Sequence, residues 1–150
     1  MKKLIATVAV SMLGASAAFA AGVVAPAEVK FENGEVAESL TGVAGDPAAG
    51  RETFAGRKLG NCLACHTNAD LDELGFHGEV GPSLDGVAER YTEAQLRGIV
   101  ANSKMTFEGT IMPGFYVMAG INRPLKGFEG TTILTAQQVE DVVAYLMTLK

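Results

Sequence analysis

Apolar residues along the chain gather into three amphipathic stretches separated by glycine- and proline-rich segments. Val139, Val142, Val143 and Leu146 recur at i, i+3, i+4 and i+7 and predict a helix that closes the chain. Its start is marked by Thr135, with Gln138 three residues on, the reciprocal cap that satisfies two free N–H groups. The same grammar stands at Thr92 and Gln95, with Tyr91 and Leu96 as a staple and Ile99 and Val100 on one face, and predicts a helix over 93–102. Asp46-Pro47, a cap residue followed by proline at the first helical position, predicts another over 47–57. Gly50 and Phe54 share a face of that helix and Tyr145 lies in the last one, an arrangement suited to a close helix crossing with aromatic rings alongside. Residues 67–90 and 103–133 are Gly- and Pro-rich and alternate too weakly for a sheet. Residues 21–45 hold no sustained period and read as an extended arm, free or packed on a partner. The expectation is an all-α domain over 46–150, three to four short helices with long loops, whose core is thin enough to need a filling group.

The first twenty residues stand apart. Lys2 and Lys3 precede an apolar run from Leu4 to Leu13 and a small-x-small ending, Ala18-Phe19-Ala20, which together read as a secretory signal peptide cleaved after Ala20. No other run is long and apolar enough to span a membrane. The formal charge is -5 over the 150 residues and -7 without Lys2 and Lys3. A mature chain so acidic lacks the footprint of a nucleic-acid binder.

Two cysteines and two histidines make up the stock of soft and imidazole ligands. Three of the four stand together as Cys62-Leu63-Ala64-Cys65-His66, the attachment signature of a c-type haem. Thiols at this spacing can add to the two vinyl groups of one porphyrin edge, and the next imidazole can turn under the ring to the iron. Two other readings fit the residue types: a dithiol redox pair, and a zinc site using Cys62, Cys65, His66 and His77. The first wants a buried strand before the motif, but Gly56-Arg57-Lys58-Leu59-Gly60-Asn61 is neither apolar nor β-branched. The second wants a tetrahedron that adjacent Cys65 and His66 would strain.

Of the six methionines, Met1 and Met12 leave with the leader, and Met147 suits packing in the last helix. Met112 is the leading candidate for a second iron ligand, because Pro113 holds the loop extended and able to aim a thioether; Met118 follows and Met105 is third. His77, in a polar loop, reads as an exposed histidine. Pro82, in Gly81-Pro82-Ser83-Leu84, is the candidate to offer a carbonyl to the second ring nitrogen of His66. Past Met112, a segment over 114–131 with Phe115, Tyr116, Val117, Met118, Ile121, Leu125 and Phe128 reads as a cover for the haem edge or as an interface anchored by aromatics.

Asp46-Pro47, Gly50, Phe54, Cys62 to His66, Gly81 to Leu84 and Met112-Pro113 together resemble the class I cytochromes c over about 47–150. Gly60 to His66, Gly81 to Leu84, Leu96 to Val100, Thr110 to Tyr116 and Leu134 to Leu146 further resemble the SoxX family, the small monohaem subunits of SoxAX complexes in bacterial thiosulfate oxidation. The resemblance implies a class I fold wrapped around one covalent haem c, His66 and Met112 as axial ligands, and a periplasmic location. It also implies a heterodimer with a SoxA-type haem subunit. The complex would act as an L-cysteine S-thiosulfotransferase, joining thiosulfate to a cysteine of a SoxYZ-type carrier, with this chain taking the electrons and passing them to a downstream acceptor. A free-standing electron shuttle is the alternative of the same chemistry. A haem enzyme or gas sensor with an open iron position is the alternative of another.

Overall fold

The structure is a computed structural model that describes residues 22–124 and 126–150. The signal-peptide reading over 1–20 and the placement of Leu125 lie outside those residues. Four α-helices appear among them: α1 (Pro47–Ala55), α2 (Val87–Arg90), α3 (Glu93–Asn102) and α4 (Ala136–Leu146). The only β pairing among them is one bridge, Glu32 to Glu35. No helix among them is long and apolar enough to cross a membrane.

The three longer helices start where their cap chemistry sits. Asp46 accepts from the N–H groups of Ala48 and Ala49 at the head of α1. Thr92 with Gln95 and Thr135 with Gln138 form complete capping boxes on α3 and α4. The loops add what periodicity does not show: α2, and short 3-10 turns at Pro26–Glu28, Cys62–Ala64, Ala69–Leu71 and Ser103–Met105. The cysteine motif thus lies on a tight turn, not on a turn of α-helix.

α1 crosses α4 at backbone contact. A Cβ added to Gly50 would stand 1.9 Å from the Asp141 carbonyl oxygen, so no other residue fits there without parting the helices. Phe54 and Tyr145 meet edge to face beside the crossing, ring centres 5.4 Å apart. Gly50→Ala is expected to cost at least about 2 kcal/mol through overpacking, measured as a lowered denaturant midpoint.

The arm over 22–45 packs on its own domain. Val36 and Leu40 are buried, Val36 N–H donates to the Ala94 carbonyl, and Leu40 N–H donates to Glu140 Oε1 at 2.8 Å. A Cβ on Gly98 of α3 would lie 2.0 Å from the Gly34 carbonyl oxygen, so arm and helix touch backbone to backbone. Beneath it Arg97, 4% exposed, donates from Nε to Glu140 at 2.9 Å, also 4% exposed, and from Nη1 to the Val36 carbonyl at 3.0 Å. Arg97 Nη2 also reaches Glu93 one turn earlier on α3. A buried guanidinium with its donors distributed in this way ties arm, α3 and α4 together.

Phe115 and Tyr116 are core residues, 6% and 5% exposed. This corrects their reading as interface anchors. Their N–H groups donate to the Val100 and Ala101 carbonyls at the end of α3, which draws both rings inward and satisfies helix-terminal acceptors. Tyr116 also donates its hydroxyl to the Val24 carbonyl at 2.7 Å. Met118 and Ile121 further along are exposed.

Candidate haem site

Asn61, at φ 49°, turns the chain sharply before the motif. His66 N–H donates to the Cys62 carbonyl at 3.0 Å, closing the turn that sets the cysteines and the imidazole on one loop. Both cysteines are free thiols and half-buried. Burial pushes the Cys62 thiol up to about 12. Reactive dithiols and zinc thiolates need the opposite shift, so the local environment favours a neutral sulfur.

The downstream loop folds back to hold the histidine. Gly78 N–H donates to the Leu63 carbonyl and Gly81 N–H to the Cys65 carbonyl, each at 2.8 Å. Gly81 lies flat against the imidazole: a Cβ there would be 2.3 Å from His66 Cε1. Beside it, His66 Nδ1 stands 2.7 Å from the Pro82 carbonyl oxygen. A carbonyl only accepts, so Nδ1 carries the proton and Nε2 keeps its lone pair for a metal. The ring is thus oriented from its Nδ1 side. These residues fit a covalent haem: two unpaired thiols, an imidazole with the correct nitrogen free, and a glycine that leaves the ring room.

His77 is half-buried and engaged, which corrects its reading as an exposed histidine. Its Nε2 donates to the Leu71 carbonyl at 3.0 Å, and its Nδ1 accepts from Asn68 N–H at 3.3 Å. With both nitrogens spent on the loop, His77 does not complete a zinc site.

Sequence reasoning missed the network that fixes the segment after His66. Asn68 is fully buried and donates from Nδ2 to the Tyr145 hydroxyl at 2.8 Å. That hydroxyl donates to Asp70 Oδ2 at 2.7 Å, and Arg51 of α1 donates to the same oxygen at 2.9 Å. The partners lie far apart in sequence, and only the α1–α4 crossing brings them together. The Tyr145 and Arg51 donors hold the Asp70 carboxyl below its ordinary value of 3.8. A lowered folded value stabilises the fold above the unfolded value and loses that effect as pH falls through the folded one. Below about pH 4 the wild type is therefore expected to lose thermal stability more steeply than Asp70→Asn, as read from melting temperature against pH.

The three candidate methionines sit differently. Met112 is half-buried and packs against the same apolar core as Cys62, whereas Met105 and Met118 are 51% and 52% exposed.

Residues 47–150 match the family described as Cytochrome c. A chain in the crystal structure of SoxXA from P. pantotrophus is 53% identical, with a TM-score of 0.79, over 84% of this chain and 97% of that one. No curated protein matches. The helical architecture with long loops is the class I cytochrome c fold. With the cysteine motif, the oriented imidazole and both similarities in agreement, the chain belongs to the cytochrome c family, as an electron-transfer protein of SoxX type that carries one covalently bound haem c.

Proposed function

We propose that this cytochrome is the electron-transfer subunit of a SoxAX-type complex, exported to the periplasm and paired with a SoxA-type haem subunit. The single observation that carries the reading is the 53% identity over 97% of a chain in SoxXA from P. pantotrophus. In this reading thiosulfate is joined to a cysteine thiol of a SoxYZ-type carrier at the partner subunit, a step that releases two electrons. This chain takes them in turn and hands them to a downstream acceptor.

The residues divide the work. Cys62 and Cys65 would hold the haem through their sulfurs, and His66 Nε2 and the Met112 sulfur would be the donors to its iron. Bound there, the haem supplies a one-electron iron couple. The Pro82 carbonyl, 2.7 Å from His66 Nδ1, fixes the ring and raises its basicity. Burial of Met112 against the core, beside the exposure of Met105 and Met118, supports its choice as ligand. A filled sixth position favours electron transfer over an open site for gas or peroxide.

The subunit reading is tested by coexpression with a SoxA-type protein in a host that matures c-type haems. A stable one-to-one complex through size exclusion at moderate salt is expected. Recovery of this chain alone, at every salt concentration, would return it to the free-standing shuttle.

A further inference from the structure

Pro113 has no N–H, so the strand of chain that carries Met112 cannot be held from its following residue. It is held instead by its carbonyl. Ser103, fully buried at the end of α3, donates its hydroxyl to the Met112 carbonyl oxygen at 2.7 Å. Lys104 Nζ donates to the same oxygen at 2.8 Å and also reaches the Thr110 carbonyl. The Met112 N–H donates to Thr110 Oγ1 at 3.2 Å. Both polar groups of the Met112 backbone are therefore fastened.

Both anchors sit at the end of a helix. Ser103 and Lys104 form a 3-10 turn that continues α3 directly, and Asn102 accepts from Lys104 N–H at its head. One positively charged donor and one neutral donor on one carbonyl fix its direction more narrowly than either would alone. A residue with a fixed backbone and one flexible side chain presents its thioether in few orientations.

We infer that Ser103 and Lys104 are positioning residues that clamp the Met112 carbonyl and so set the strength with which Met112 holds the sixth position of the haem. The inference rests on the proposed ligation by Met112. Loss of either donor loosens the loop, and the thioether then competes less well against an external ligand.

The test is imidazole binding to the oxidised holoprotein, followed in the visible spectrum, for Ser103→Ala, Lys104→Gln, Met112→Ala and the double variant Ser103→Ala/Met112→Ala. Lys104 is exposed, so its variant folds even where the buried Ser103→Ala is poorly tolerated. Each clamp variant is expected to bind imidazole about fivefold more tightly than wild type, the worth of one lost hydrogen bond. The double variant is expected to match Met112→Ala. Wild-type imidazole affinity in both clamp variants, with Met112→Ala spectrally altered, overturns the clamp and leaves the ligand reading intact. Undiminished fivefold tightening in the Met112→Ala background overturns it too, because Ser103 would then act by another route. A wild-type spectrum in Met112→Ala removes the ligand reading and the clamp with it.

Discussion

Met112→Ala is expected to lower the reduction potential of the haem by on the order of 100 mV or more, well inside the ~0.8 V over which axial ligands move haem couples. The thioether is a neutral, soft donor that favours the reduced iron, which is why methionine–histidine pairs lie high among haem proteins. On the proposed ligation, its loss would pass the sixth position to water or to a stronger donor and favour the oxidised state. The side chain packs against the core, so a small cavity accompanies the change, with a stability loss of about 2 kcal/mol or more. Met105→Ala and Met118→Ala are controls, because both side chains are about half exposed and their loss should leave the potential within error. A redox titration followed by the visible spectrum reads all three. An unchanged potential in Met112→Ala with a lowered one in Met118→Ala would move the ligand to Met118.

Arg97→Ala is expected to cost about 3–5 kcal/mol, the penalty for stranding one charge of a buried pair. Glu140, 4% exposed beside Arg97, would keep only the Leu40 N–H as partner, and the Val36 carbonyl would lose its donor. The damage should be directional. The arm over 22–45 leans on this network, so it should become sensitive to protease before the helices melt. Replacing both members by apolar residues of similar volume is expected to recover only part of the loss. Simple pairs are often dispensable in such swaps, but here each partner also serves a backbone group of the arm. Denaturant midpoints and timed proteolysis of the holoprotein check both statements. A loss below about 1 kcal/mol for Arg97→Ala would mean that water replaces the network, in the manner of exposed pairs.

What the sequence discloses follows from how local each feature is. Thr92/Gln95 and Thr135/Gln138 are legible because a capping box is complete within four residues. The cysteine-histidine motif is legible for the same reason, and the contact of the Pro82 carbonyl with His66 because a proline loop is a rigid place to present a carbonyl. Asp46-Pro47 gives the start of α1, and its end at Ala55 comes slightly before the expected 57, where Gly56 turns away. The loops resist such reading. α2 is only four residues long and offers no period to detect. Arg97 and Glu140 look like members of solvated helix faces, and their burial depends on an arm whose own sequence shows no regular pattern. Phe115 and Tyr116 carry the opposite lesson: a run of aromatics in a loop suggests an exposed surface until backbone hydrogen bonds to α3 draw it inward. His77 reads as exposed from its polar loop because its partners are the backbone groups of Asn68 and Leu71, about which the loop's polarity says nothing.

The central claim is that this haem receives the electrons of a partner's sulfur chemistry. It is tested by mixing the oxidised holoprotein with thiosulfate and a SoxYZ-type carrier, with and without the SoxA-type subunit, and following the visible spectrum. Reduction only in the complete mixture is the predicted result. No reduction in the complete mixture, with rapid electron exchange between this protein and a generic small cytochrome, would contradict the claim and identify a shuttle instead.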